Sequence, residues 1–224
     1  MSRNIEYGIG EFYHIYNRGT EKRKIFTSTS NYNRFLALLY ICNGSVEVHL
    51  QRQGRTLTEI GDVERGELLV DICAYCLMPN HFHLLLRERR ENGISQFMQK
   101  LITAYTMYFN KLNDRNGVLF QGRYKSKHLS YDQYLKYVIS YIHLNPISLI
   151  DPLWEKHITS DQKRTEDYLY QYKYSSYLDF LYEKRLAAKI LNREALPDYF
   201  ATPQDFKRSV SDFLSRSFSV KVRP

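Results

Sequence analysis

Residues 70–87, VDICAYCLMPNHFHLLLR, carry the clearest structural instruction in the chain. Val70 to Leu77 reads as a strand, with Val70, Ile72, Ala74 and Cys76 on one face. Met78-Pro79-Asn80 reads as a tight turn, because proline pre-sets its own φ and asparagine tolerates unusual backbone angles. Alternation then resumes from His81 to Arg87. Phe82, Leu84 and Leu86 fall on one face, and His81, His83, Leu85 and Arg87 on the other. The stretch is therefore a hairpin with one apolar face and one face that carries two histidines.

The flanking sequence supplies the other elements. Phe12 to Asn17 reads as a first strand, closed by Arg18-Gly19-Thr20 and followed by the basic residues Lys22, Arg23 and Lys24. Asn31 to Cys42 has helical spacing, with Phe35, Leu36, Leu39 and Tyr40 inward, and Asn43-Gly44 is a stop signal. Ile94 to Leu112 is the strongest amphipathic helix, ended by Asn113 to Gly117. Val118 to Leu129 reads as a basic strand, and Asp132 to Asn145 as a helix that Pro146 stops. The order is β-α-β-β-α-β plus one helix. It predicts an α+β fold: a ferredoxin-like antiparallel sheet with helices on one face.

Two regions exceed that plan. Residues 45–69 alternate apolar and polar, as in Val46-Glu47-Val48-His49-Leu50, and read as a strand or hairpin within a candidate insertion. Beyond residue 150 the character changes. Tyr168, Leu169, Tyr172, Phe180 and Leu181 suggest a helix. Thr202-Pro203-Gln204-Asp205 looks like a helix start, with Phe206, Val210, Phe213 and Leu214 on its apolar side. The expected organisation is a domain over 1–150 and a helical C-terminal extension over 151–224.

Composition narrows the function class. In 224 residues, Lys plus Arg outnumber Asp plus Glu by 32 to 24, a net charge of +8, which favours a polyanionic partner. Hydrophobic residues at 43% argue against global disorder. Twenty tyrosines suit unpaired bases, but they also make any single tyrosine weak evidence. The longest apolar run, Phe35 to Cys42, is well short of the ~18 residues of a membrane helix, and no secretory signal is visible. A soluble, cytoplasmic protein with no membrane partner is expected. Cys73 and Cys76 have CxxC spacing, but no second pair completes a zinc site, and residues three apart on a strand point to opposite faces. With Cys42 they read as structural thiols.

His81 and His83 are i and i+2 on a strand, so both imidazoles face one way and can share a cation. Two solvent-facing histidines would show the same spacing. Tyr141 and Asn145 are one helical turn apart, whereas His143 points away from them, toward packing or solvent. Asn145 can offer a carbonyl oxygen to a metal or simply end the helix. Tyr141 can be a core residue or a nucleophile, with Tyr131, Tyr134 and Tyr137 as competitors. Between Lys111 and His128, Lys111, Arg115, Arg123, Lys125 and Lys127 face one acid, Asp114, and Phe120 and Tyr124 interleave. That mixture suits a nucleic-acid strand, or a charged strand edge that deters aggregation.

Four blocks then occur in a telling order: Tyr13-His14-Ile15-Tyr16-Asn17-Arg18-Gly19, Leu77 to Leu86, Leu119-Phe120-Gln121-Gly122-Arg123-Tyr124-Lys125-Ser126, and Tyr141-Ile142-His143-Leu144-Asn145-Pro146. Together they resemble the HUH single-tyrosine transposases (the IS200-like transposase domain), closest to the REP-associated branch, over roughly residues 8–150. The name denotes histidine, hydrophobic residue, histidine. The resemblance implies a catalytic domain acting on single-stranded DNA, often near a hairpin. It implies that His81 and His83 ligate Mg²⁺ or Mn²⁺, with Asn145 as a further ligand. It singles out Tyr141 as the nucleophile, leaving a 5′-phosphotyrosine link and a free 3′-hydroxyl. The DNA-contact candidates are Arg18, Lys22, Arg23, Arg115, Arg123, Tyr124, Lys125 and Lys127. Such proteins act as a monomer or a homodimer. The rival is a domesticated, non-cleaving protein that binds hairpin DNA or RNA.

Overall fold

The computed structural model describes residues 6–46, 56–155, 161–181, 184–200 and 202–215. Among these residues lies one antiparallel sheet built from β1 (Phe12–Arg18), β2 (Val70–Met78), β3 (His81–Glu88) and β4 (Lys125–His128). The strands lie in the order β2-β3-β1-β4. Helix α1 (Thr29–Ile41) and a short α2 (Leu57–Ile60) connect β1 to β2, and α3 (Gly93–Leu112) connects β3 to β4. This is the ferredoxin-like arrangement that the element order implied.

The two faces of the sheet support separate cores. Ile15, Tyr75, Phe82, Leu84 and Leu86 pack with Phe35 of α1 and with Phe97, Leu101 and Tyr105 of α3. Fully burying a side chain such as Phe82 contributes about 1.5–3 kcal/mol. The helices of the ferredoxin-like unit thus share one face, as expected. The opposite face is covered by α4 (Asp132–Leu144) and by the extension, which folds as α5 (Gln162–Gln171), α6 (Tyr177–Phe180) and α7 (Pro203–Ser215). Phe180, Phe206 and Phe213 join Leu85, Val138 and Ile142 in one cluster, so the histidine-bearing face is a second interior.

A register shift in the β2–β3 pairing between Ile72 and Ala74 corrects the face assignment for β2. Ile72 pairs with Leu86 and Ala74 with Leu85, leaving Cys73 as the extra residue of a bulge. Val70 and Ile72 therefore face α1 and α3, while Ala74 and Cys76 face α4. The same bulge places Cys73 and Cys76 in one cluster rather than on opposite faces. Both are buried free thiols.

The hairpin tip is braced from outside. Pro79 O accepts the N–H groups of Ile25 and Phe26, and Gly19 N–H donates to Asn80 O at 2.8 Å. A side chain at Gly19 would stand 2.4 Å from Arg23 O, so this close crossing requires glycine. The loop after β1 thereby holds the end of β3 that carries His81.

Four other boundaries differ from the sequence reading. The basic strand spans only Lys125–His128, because Gly117 (φ +86°) and Gly122 (φ +72°) break the extended path, leaving an isolated bridge between Gly19 and Phe120. In the 45–69 segment, Val46 is the last described residue before residue 56, so Glu47 to Leu50 lie outside the described residues. The described part is helical at α2, where Thr56 and Glu59 form a capping box, rather than a strand. The helix expected around residues 168–181 is two helices. Residues between them cover the outer edge of β2: Leu77 N–H donates to Tyr174 O, Ser176 N–H donates to Tyr75 O, and Ser175 bridges Cys76. Pro146 ends α4 as an α-helix, but the chain continues as a 3-10 turn over Asn145–Leu149.

His143 explains part of this docking. It is fully buried, with Nδ1 2.8 Å from Ile139 O and Nε2 2.7 Å from Ser176 Oγ. Nδ1 must carry the proton to donate to a carbonyl, so Nε2 accepts from the serine hydroxyl. Burial depresses the His143 pKa from 6.5 to about 3. The unfolded chain therefore binds a proton that the folded chain refuses. Stability is complete above pH 6.5 and falls as pH drops toward 3, by up to about 1.4 kcal/mol per pH unit for this group. Urea midpoints should be level from pH 8 to 6.5 and decline below. A level midpoint down to pH 4.5 would contradict this.

Candidate active site

His81 and His83 project from β3 toward α4, with ring centroids 5.0 Å apart and planes at 88°. His83 is fully buried and His81 partly so. Across the gap, α4 presents Tyr141, whose ring lies edge-on to His83 at 5.6 Å. Asn145 follows one turn later. Its amide nitrogen donates to Tyr141 O at 3.0 Å, and its side chain lies near enough to the His81 imidazole and the Tyr141 hydroxyl to act on the protonation of both. The structure thus brings together residues from a strand and a helix some 60 positions away. Tyr131, Tyr134 and Tyr137 have no ring contact with either histidine among the described residues.

His14 is the residue that sequence reasoning missed. It sits on β1 with 1% exposure, and its Nε2 lies 2.9 Å from His83 Nδ1. Its place on the polar face of β1, opposite Ile15, was legible, but the cross-strand diagonal was not. Two neutral imidazoles at this distance share one proton. When His83 donates from Nδ1, its Nε2 keeps a lone pair. That Nε2 is buried and has no hydrogen-bond partner. Leaving such an atom bare costs about 1–3 kcal/mol, a cost that a cation ligated there would remove. His81 is similar: its Nδ1 is 2.7 Å from Asn80 Oδ1, which accepts and so reserves the other nitrogen.

The electrostatics agree. Burial depresses the His81 pKa to about 4, opposed by the Asn145 hydrogen bond and aided by Arg18. His83 is held well below 6.5 by burial, then by His81 and His14. Both rings are neutral donors at ordinary pH. The Tyr141 hydroxyl is pushed up by burial and by Glu155, while the Asn145 hydrogen bond acts in the opposite direction. Its ring is packed by Tyr137 and Trp154, and Phe213 of α7 lies against both of these. Among the described residues, no cluster of three His, Cys, Asp or Glu side chains that could hold a metal ion is found; the further candidate donor beside the two histidines is the Asn145 amide. A set of two imidazoles and one amide oxygen fits a divalent cation that keeps positions for substrate oxygens.

The predicted DNA-contact residues divide by face. Lys125 and Lys127 point to the α4 side, with Lys127 Nζ 4.6 Å from the Tyr134 ring and Lys125 Nζ 5.9 Å from that of Tyr16. Tyr124 points to the other face, with its hydroxyl 3.3 Å from that of Tyr7. Arg18 pairs in register with His81, and Lys22 and Arg23 lie in the loop that braces the hairpin tip. Arg115 is held by Asn110 and by Val118 O at the end of α3, whereas Arg123 is exposed after Gly122. Two surface clefts, one lined by Gln96 and Lys100 and the other by Arg87 and Asn192, do not touch the histidine pair.

Comparison with known proteins decides the family. Residues 12–145, more than half of the chain, match the family described as Transposase IS200 like. The chain belongs to this family. The matched span contains all four residues of the constellation and ends on Asn145. No curated protein matches the sequence of this IS200-like family member significantly. Among solved structures, its fold is similar to that of a REP-associated tyrosine transposase bound to a REP hairpin, at 11% identity and a TM-score of 0.50. That match covers 82% of this chain and 86% of the other, so the shared fold reaches beyond residue 145. No helix among the described residues is long and apolar enough to cross a membrane.

Proposed function

We propose that this chain is a metal-dependent transposase that cuts and rejoins single-stranded DNA at hairpin-bearing ends, with Tyr141 as nucleophile. The observation that carries the reading is the buried, unpartnered His83 Nε2 beside His81, Asn145 and Tyr141. A buried lone pair facing no donor has little structural use and an evident chemical one. Family membership and a fold shared with a hairpin-bound transposase support the substrate class.

Each residue has a part. His81, His83 and Asn145 would hold Mg²⁺ or Mn²⁺, which when bound polarises the scissile phosphate and lowers the cost of charge on its oxygens. His14 holds the His83 ring through its Nε2 contact with Nδ1, and a proton on His83 Nδ1 would leave Nε2 free for the metal. Asn145 is fixed one turn from Tyr141 by its bond to the Tyr141 carbonyl, and the α4 backbone fixes the distance of Tyr141 from the histidines. Tyr141 Oη attacks phosphorus, the bond from phosphorus to the 3′ oxygen breaks, and that oxygen leaves as a hydroxyl after taking up a proton. The phenol proton passes to solvent. The product is a 5′-phosphotyrosine diester, so attack by a 3′-hydroxyl reverses the step without an external energy source.

The test uses the full chain with end-labelled hairpin DNA bearing unpaired flanks, with Mn²⁺, Mg²⁺ or chelator, on a denaturing gel. A metal-dependent covalent adduct is expected. Retention of the hairpin without any adduct in either ion would favour the binding-only rival.

A further inference from the structure

We infer that the cleft between the open end of the β2–β3 hairpin and the C-terminal extension is a phosphate-binding site built on Arg87 and Arg89. The site goes beyond the strand-transfer reading and does not depend on it. Arg87 lies six residues along β3 from His81, roughly 20 Å away, and the cleft does not touch the histidine pair. The cleft has a volume of about 350 Å³. Ile9, Asp71 and Asn192 wall it beside the two arginines, and Glu194 stands at its rim.

One buried acid organises the cleft. Asp71 is 2% exposed. Its Oδ1 accepts from Arg89 at 3.1 Å and from the Asn192 amide at 2.8 Å, and its Oδ2 lies 3.5 Å from Arg87 Nη1. Arg87 Nε also donates to Gly10 O at 3.0 Å. A buried carboxylate must be paired, and a single guanidinium would neutralise it. Here two guanidiniums share it, so one positive charge is left over. Glu88 does not cancel that charge, because its buried carboxylate accepts the Gly93 and Ile94 N–H groups at the start of α3. Among the described residues, Nη2 of Arg87 and both Nε and Nη2 of Arg89 donate to no protein atom.

Arginine presents a planar fork of donors that matches two oxygens of a phosphate. Anchoring both forks on Asp71 before a ligand arrives lowers the ordering cost of binding one. A purely structural tie between the extension and β2 needs only Asn192, whose side chain meets Asp71 and whose N–H donates to Ile72 O at 2.9 Å. Such a tie does not account for the second arginine or for the open cleft before both. The phosphate has two sources, a free phosphate or the backbone of DNA that extends past the histidine pair. Both present the same oxygens to the arginines.

The experiment titrates the full-length protein with inorganic phosphate, read by ³¹P NMR, and measures the salt dependence of hairpin DNA binding by anisotropy. Inorganic phosphate should bind the parent, and Arg89→Gln should weaken that binding at least about tenfold. Arg87 and Asn192 still hold Asp71 in this variant, and a thermal melt checks its fold. Glu194→Gln removes the acid at the rim and should tighten phosphate about two- to threefold, a gain that misfolding cannot mimic. Arg90→Gln removes an equal charge, paired with Glu67 outside the cleft, and should change neither reading. The salt slope separates the two sources. A slope reduced by about one in Arg89→Gln assigns the phosphate to DNA. An unchanged slope with lost phosphate binding assigns it to free phosphate. An unchanged slope with inorganic phosphate bound equally by parent and Arg89→Gln, or bound by neither, would overturn the site. The same losses in Arg90→Gln would overturn it too.

Discussion

Tyr141→Phe is expected to abolish the covalent DNA adduct, lowering its rate by at least about a thousandfold, as loss of an attacking atom does in other covalent enzymes. Only one oxygen is removed. The ring keeps its contacts with His83, Tyr137 and Trp154, so the fold should be spared. Hairpin affinity should stay close to that of the parent. The alternatives are specific, because Tyr137 is the next ring along α4. An adduct that survives Tyr141→Phe and disappears in Tyr137→Phe would move the nucleophile one turn. The pH dependence has a definite sign. Burial pushes the Tyr141 hydroxyl up, so the phenolate fraction grows by up to about tenfold per pH unit through the neutral range. Single-turnover cleavage should rise from pH 6 to pH 9.

His83→Gln is expected to weaken Mn²⁺ binding by about a hundredfold or more and to remove cleavage, while metal-free hairpin binding persists. The ring is fully buried and its Nε2 has no other partner, so the variant removes a donor that no neighbour replaces. Glutamine keeps much of the volume and a group that can meet His14. His83→Ala would leave a cavity and an unpaired imidazole, at a cost of about 1–3 kcal/mol, and would confuse loss of metal with loss of fold. Electron paramagnetic resonance of free Mn²⁺ reads the binding directly, without activity. Unchanged Mn²⁺ affinity in His83→Gln would rule out this histidine as a ligand. His81→Gln, at a partly exposed position, should lose affinity with less effect on stability.

Much of this was legible in particular residues. The apolar alternation of Phe82, Leu84 and Leu86 could be satisfied only by one buried sheet face, which forced His81 and His83 onto the other. Tyr141 and Asn145 were a turn apart because Asp132 to Leu144 is helical. Other features were not legible, because they depend on local breaks in periodicity. The extra residue at Cys73 switches the face of half of β2, and no propensity marks it. Gly117 and Gly122 shorten the last strand, although the residues between them look extended.

The hairpin at residues 70–87, the helix that follows it and the same-face pairing of His81 with His83 follow from sequence alone, because side-chain direction along a strand or helix is a local property. The company those histidines keep was decided by tertiary structure. His14 meets His83 only through the β1–β3 register, and Tyr141 reaches it only because α4 crosses the sheet face opposite α1 and α3. The same placement divides the basic residues, sending Lys125 and Lys127 toward the tyrosines and Tyr124 away. Contacts of this kind join residues dozens of positions apart. They are set by which apolar faces must be covered, a requirement of the whole chain that no single segment records.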